Sequence, residues 1–336
     1  MTGSTAPSSG GKAAVLFRTH YWNEFIDTQF NRLCAMAGDG VDIFVTYDET
    51  NGPARGLPAA AAQRLVGHSL PGFASLGLDI QVARGMWHLG DYPFYDFIVK
   101  WPGYAQLAMI ENDVFLGPTD FSAKFAELTA TRAEFSAFRF GERKLGNDMR
   151  PGTRSAVDYY PRVWNAFFPL VFLSGDFAAH LFERRKWLGE QRRERKLSHF
   201  PHCEAFVATE AAVTRRRWVP LRKLFRTSRF QNRPFILHEG LEDVLPDEII
   251  HPVVPAAAYV RNLLREEILY NRAGPFAASS VIWPALERAV SIGALTMADL
   301  HSAADQYLAQ PPSPDWAAFV RDGIAGIRAA RPAAGL

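Results

Sequence analysis

The stretch that most constrains this fold is Gln106–Gly117, QLAMIENDVFLG, an apolar run that delivers three polar residues and then turns apolar again. Leu107 to Ile110 is a short apolar run bounded by turn formers, which suits a strand in a sheet covered on both faces. Glu111 and Asp113 follow, two residues apart. If the strand persists they share one face; if it ends at Asn112, both sit in the loop at its carboxyl edge. Open α/β sheets bind ligands at that edge. Two carboxylates there make a seat for a hard divalent cation, and such a cation can grip a diphosphate. The plainer reading is that acidic residues end strands as turn formers.

Upstream, Ala13 to Phe17 reads as a first strand, followed by the polar residues Arg18, Thr19 and His20. Phe25, Ile26, Phe30, Leu33, Cys34 and Ala37 then fall near a 3.6 period, and Gly38 and Gly40 supply a stop. Val41 to Tyr47 is a β-branched and aromatic second strand ending at Asp48. Strand, helix and strand at this spacing make a βαβ unit. The segment from Gly52 to Gly90 is rich in Gly, Ala and Pro. It should hold irregular connections and short helices around one strand-like piece, Arg64 to Leu70.

Downstream, Tyr92 to Lys100 and Thr119 to Ala130 read as helical, and Glu134 to Phe140 and Val163 to Phe168 as strands. Gly141 to Pro161 is a polar segment suited to a mobile loop over a site. Ser174 is placed to cap a helix whose Phe177, Leu181 and Trp187 face inward. Phe235 to His238 and Glu248 to Val254 are further strands. After Pro255 the pattern is helical: Ala256–Tyr270, Ile282–Ile292, Met297–Leu308 and Asp315–Ala330. The division expected is a disordered arm over 1–12, a catalytic domain over 13–255 and a helical C-terminal extension over 256–336.

With a net charge of +2, the chain lacks the overall composition of a nucleic-acid-binding protein. Its 2 cysteines, Cys34 and Cys203, are too few for a disulfide framework or a thiolate metal site, so a reducing, cytoplasmic setting is expected. No apolar run approaches the roughly 20 residues of a membrane-spanning helix, and no signal peptide is expected. Charge is uneven, however. From Arg184 to Arg233 the chain is strongly basic, with acids only at Glu190, Glu194, Glu204 and Glu210. That run reads as a solvated helical face, as a holder of an anionic acceptor or leaving group, or as a peripheral contact with an anionic inner membrane face. No nucleic-acid-binding module surrounds it.

The βαβ opening, the mid-chain strand ending in Glu111-Asn112-Asp113 and the late strand entering His251-Pro252 together resemble nucleotide-sugar glycosyltransferases of the GT-A fold. The resemblance implies a Rossmann-type mixed α/β sheet flanked by helices, and a divalent metal, Mn²⁺ or Mg²⁺, holding the diphosphate of a nucleoside diphosphate sugar. Carried over, the acidic motif falls on Glu111, Asn112 and Asp113, with Asp113 as the direct ligand. His251 stands where a histidine completes the coordination in some members. There are two departures from the pattern: Glu111 is one methylene longer than the usual Asp, and Val253 and Val254 stand where some relatives carry lysine. Glu204, in PHCEAFVATEA, resembles the acid that starts a late helix and removes the acceptor's proton; Asp176 and Glu239 are alternatives. Arg18, Thr19 and Asp48 follow the first two strands, where related folds hold the nucleoside.

The resemblance thus implies sugar transfer to a glycan or lipid-linked acceptor, in polysaccharide or glycoconjugate synthesis. A non-catalytic nucleotide- or membrane-binding scaffold of the same fold is the alternative. A nucleotidyltransferase would bring a Gly-rich basic loop after the first strand, and RTHYWN contains no glycine.

Overall fold

The computed structural model describes residues 11–81, 85–144, 151–270, 275–309 and 314–327. Its strands are β1 (Lys12–Thr19), β2 (Val41–Asp48), β3 (Leu65–His68), β4 (Tyr104–Glu111), β5 (Phe115–Leu116) and β6 (Phe135–Arg143). There follow β7 (Val163–Ser174), β8 (Trp218–Pro220), β9 (Ile236–Leu237), β10 (Ile249–Ile250) and β11 (Val253–Val254). The chain packs as two compact units, Met1–Asn112 with Pro118–Arg226, and Asp113–Gly117 with Thr227–Leu336.

The first unit is built on a seven-stranded sheet in the order β3-β2-β1-β4-β7-β6-β8. β3, β2, β1 and β4 are parallel, β7 runs against both β4 and β6, and β8 is parallel to β6. This is the mixed α/β sheet the resemblance implied. The helix Glu24–Met36 makes the β1-to-β2 crossover, started by Asn23, whose side chain accepts from the Ile26 amide at 3.0 Å. It ends just before Gly38, whose φ of 72° is a conformation glycine adopts without strain. β1 and β4 occupy the middle of the sheet, and Ala14–Phe17 and Leu107–Ile110 are buried throughout. Their unbroken apolar runs match strands covered on both faces. An aromatic layer including Phe73, Tyr92, Tyr95, Phe97, Phe135 and Phe177 joins them in one core. Each such side chain contributes about 1.5–3 kcal/mol of burial.

Several local expectations are corrected. β1 begins at Lys12, inside the segment expected to be an arm; residues 1–10 lie outside the described residues. The expected loop 141–161 is partly structured: β6 continues to Arg143, Pro151–Arg154 is a helical turn, and Thr153, Ser155, Ala156 and Tyr160 are buried. Residues 145–150 of that segment lie outside the described residues. In the helix Gly175–Glu194, Ser174 Oγ accepts from the Phe177 amide at 3.1 Å, and Phe177 and Leu181 are buried as expected. Trp187 is instead 42% exposed, and the inward position is taken by Arg185.

The second unit pairs β5 with β10 antiparallel and β9 with β11 parallel. Helices Ala256–Tyr270, Pro275–Ser291, Met297–Leu308 and Pro314–Gly326 follow. The second of these starts earlier than its apolar pattern suggested and carries Pro284 within it. Leu237 of β9 and Val254 of β11 pack with Leu263, Ile282, Leu286 and Val320 in one core. Thr227 onward shares this compact unit with the C-terminal helices.

Candidate functional site

Because β1, β2, β3 and β4 are parallel, Thr19, Asp48, His68 and Glu111 all close their strands at one carboxyl edge of the first unit's sheet. Arg18 Nη1 donates to Glu111 Oε1 at 2.8 Å, and Nη2 donates to the Met86 carbonyl at 2.7 Å. The pair is partly buried, where a charge-assisted bond outweighs a surface one. Arg18, expected at a phosphate, is thus the residue that orients Glu111. Thr19 is buried; its hydroxyl donates to the Tyr21 carbonyl at 2.7 Å and accepts from Asn112 Nδ2 at 3.3 Å. The Asn112 amide donates to the Arg18 carbonyl at 3.1 Å, which carries the β1 contact one residue past Glu111. Asp48 is half-buried and accepts from the Thr50 amide at 2.9 Å, shaping the turn after β2.

Glu204 reaches the same edge from the helix Cys203–Val213. Its Oε1 accepts from the Phe168 amide at 3.3 Å, and Phe168 lies two residues beyond Leu170, where β7 pairs with Ile110 at the end of the β4 ladder. The helix is capped by His202, whose Nδ1 accepts from the Glu204 amide at 3.3 Å, so the neutral ring carries its proton on Nε2. Burial, followed by the nearby His88, Arg185 and Arg18, pushes the His202 pKa down to about 3. Burial likewise holds the Cys203 thiol well above its ordinary range.

Asp176 does not share this edge: it follows Ser174, which pairs with Gln106 at the opposite end of β4. Glu239, in the second unit, uses both carboxylate oxygens on the Ala256 amide at 3.0 Å and caps a helix.

The segment Gly85–Gly90, within the stretch expected to hold irregular connections and short helices, opens with the short helix Gly85–His88 and lies at this edge. Arg18 holds Met86, and His88 Nε2 lies 2.5 Å from the Phe200 carbonyl. Gly90 allows the close approach, since a Cβ there would stand 3.0 Å from Cys203 Sγ and 3.1 Å from Arg18 Nη1. Trp87 remains 55% exposed, with its ring centroid 4.4 Å from that of His202. In the sequence nothing singles Trp87 out, flanked as it is by Met86 and His88.

In the second unit, Asp113 and His251 come together. His251 Nε2 lies 3.4 Å from Asp113 Oδ1, and His251 Nδ1 lies 2.6 Å from the Gln231 carbonyl. A carbonyl only accepts, so Nδ1 carries the proton and Nε2 is the atom turned to the carboxylate. A backbone carbonyl on the far nitrogen is the arrangement that orients a metal-ligating histidine. Backbone contacts fix both residues: the Val253 amide donates to the Asp113 carbonyl at 2.7 Å, and the His251 amide to the Arg229 carbonyl at 3.1 Å. Arg229 is in turn held by Glu248 through two bonds of 2.8 Å. The chain also approaches itself closely at Gly117, where a Cβ would meet the Leu245 carbonyl oxygen at 2.0 Å. The set of a carboxylate oxygen and an imidazole nitrogen fits Mn²⁺ well and Mg²⁺ less well, because imidazole is the softer donor.

The first unit thus sets a parallel β3-β2-β1-β4 half beside an antiparallel β7, with acids at its carboxyl edge. The solved structures similar to this chain include glycosyltransferases. Mouse xyloside xylosyltransferase 1 in its apo form is 9% identical, with a TM-score of 0.37 over 62% of this chain and 84% of that one. A glycosyltransferase involved in glycosylation of the major capsid of PBCV-1 is 12% identical, with a TM-score of 0.34 over 71% and 92%. The glycosyltransferase GlyE of Streptococcus pneumoniae TIGR4 is 11% identical, with a TM-score of 0.34; 63% of this chain is covered, but only 46% of that one. No protein-family model and no curated protein matches the chain.

Proposed function

We propose that this protein is a metal-dependent glycosyltransferase that moves a sugar from a nucleoside diphosphate sugar to a hydroxyl of a glycan or lipid-linked acceptor. The observation that carries the reading is the Asp113–His251 pair, with His251 turned by the Gln231 carbonyl so that Nε2 meets the carboxylate. Asp113 and His251 are the donors assigned to Mn²⁺ or Mg²⁺. When bound, the cation would supply positive charge where the diphosphate departs.

The remaining roles belong to the first unit. Arg18 keeps Glu111 aimed, while Thr19 and Asp48 hold the nucleoside at the ends of β1 and β2. Glu204 accepts the proton of the acceptor hydroxyl as the new glycosidic bond forms. Its helix start, fixed by the neutral His202, keeps the carboxylate at the sheet edge. Trp87 offers an exposed aromatic face to a sugar ring beside it.

The deciding experiment is a calorimetric titration with UDP-, GDP- and CMP-sugars in the presence of Mn²⁺. Binding of one donor that disappears on chelation is the expected result; silence from all three would overturn the reading. Glu204→Gln should keep donor affinity within about twofold and lose transfer by roughly 10²–10⁴-fold, the range for removing a general base.

A further inference from the structure

The basic run expected to act as one surface is two different things in the structure. In its first part most cations are paired, Arg184 with Glu210, Arg185 with Asp91, Lys186 with Glu183 and Arg192 with Asp79, while Arg193, Arg195 and Lys196 at its end are exposed. The part after Glu210 differs, because no acidic residue occurs again until Glu239. Within it Arg216 is taken by Glu134 at 2.6 Å. Arg215, Arg217, Arg222, Lys223 and Arg226 are exposed, and among the described residues none lies within ion-pair distance of a carboxylate. On β6, the strand that β8 pairs with, the carboxylate of Glu142 is taken by Arg162. Lys124 adds a further cation beside the segment, its amine 5.4 Å from the Phe225 ring.

Among these cations stand two apolar side chains turned to solvent, Val213 and Trp218, 48% and 43% exposed. Trp218 begins β8, the edge strand of the sheet, and its ring rests edge-on against Phe140 with centroids 4.8 Å apart. The indole is therefore held in place rather than free to fold back. Clustered cations around a fixed, exposed tryptophan fit a surface that is negatively charged at its face and apolar just beneath. An anionic lipid bilayer has both properties, and tryptophan favours its headgroup layer.

We infer that residues 213–226 form a peripheral docking surface for anionic lipid, with Arg215, Arg217, Arg222, Lys223 and Arg226 meeting the headgroups and Trp218 entering the interface. Among the described residues no helix is long and apolar enough to cross a membrane, so the contact is one of surface attachment. The inference stands apart from sugar transfer and needs neither donor nor metal.

The test is sedimentation of the full-length protein with sucrose-loaded vesicles of phosphatidylcholine alone or with phosphatidylglycerol at three to one. Binding is expected only to the anionic vesicles, and should weaken steeply as salt rises. The triple variant Arg217→Glu, Arg222→Glu, Lys223→Glu should lower the partition coefficient at least about a hundredfold, since each cation near such a surface is worth several-fold in binding. Circular dichroism of the variant should match the parent. Because the chain has 8 tryptophans, interfacial entry is read by difference. Quenching by brominated lipid should fall in Trp218→Phe while the other seven report the same background. Absence of binding to anionic vesicles, or binding indifferent to the triple variant, would overturn the inference. So would tighter binding to a 20-base-pair DNA duplex than to the vesicles in the same buffer.

Discussion

Asp113 and His251 make the clearest demand at the scale of single residues. With His251 Nδ1 bonded to a backbone carbonyl, its Nε2 has one direction to face, and Asp113 occupies it. Asp113→Asn and His251→Ala should each weaken Mn²⁺ binding by about 10- to 100-fold or more, the scale seen even for groups that only support a ligand. Electron paramagnetic resonance of free Mn²⁺ would measure it. The buried histidines of the first unit give a second expectation. Burial, then Arg18, lowers the His68 pKa to about 4, and burial lowers that of His202 to about 3. In the unfolded chain both lie near 6.5, so between about pH 6.5 and 4 the unfolded state binds more protons. Stability is therefore full above pH 6.5 and is lost as pH falls. At pH 5 the loss is about 2 kcal/mol for each ring relative to pH 7. Urea unfolding at the two pH values should show it, and His68→Gln should remove about half.

At the scale of elements, the best-read parts were those whose own periodicity declares them. β1, β2, β4 and the helix Glu24–Met36 lie within a few residues of where their apolar spacing put them. The apolar pattern stops β7 at Phe168 because Pro169 interrupts the run. In the structure the strand passes through, and the β6 ladder shifts register between Phe138↔Phe167 and Ser136↔Phe172, where the proline needs no partner. The edge position of Glu204 depends on that strand's reversal, which no local pattern encodes. The helix Gly175–Glu194 misled for another reason. Its inward stripe includes an arginine, whose partner, Asp91, is 94 residues away. Arg185 donates to Asp91 through Nε at 2.7 Å and Nη2 at 2.9 Å, and to the Pro201 carbonyl at 2.7 Å; Tyr95 donates to the same carboxylate at 2.6 Å. Burial works against the Arg185 charge, but Asp91, by charge and hydrogen bond, together with Tyr92 and Tyr95 outweighs it and the group stays protonated. Asp91→Asn leaves a buried cation without its counter-charge and should cost about 3–5 kcal/mol. A fall in Tm of roughly 10 °C would be the readout.

For the whole molecule, the α/β architecture was legible because alternating strand and helix periods leave few other solutions. The division into two units was not, since it depends on which partner each short strand finds. β5, β10, β9 and β11 have two residues each, too few for any periodicity to speak. Phe115 and Leu116 leave the central strand's segment only to pair with Ile250 and Ile249, far along the chain. The polypeptide thus enters the second unit at Asp113, returns to the first at Pro118, and re-enters at Thr227.

That five-residue excursion works as a splint. Severing the gene after Arg226 would separate two polypeptides but not two structures, because the splint would remain with the wrong half. A product covering 227–336 should expose the bare rim of Ile249 and Ile250 and clump on purification. Adding back a peptide spanning 111–118 should restore its solubility. If the bare product is as well behaved as the intact chain, the splint carries no weight.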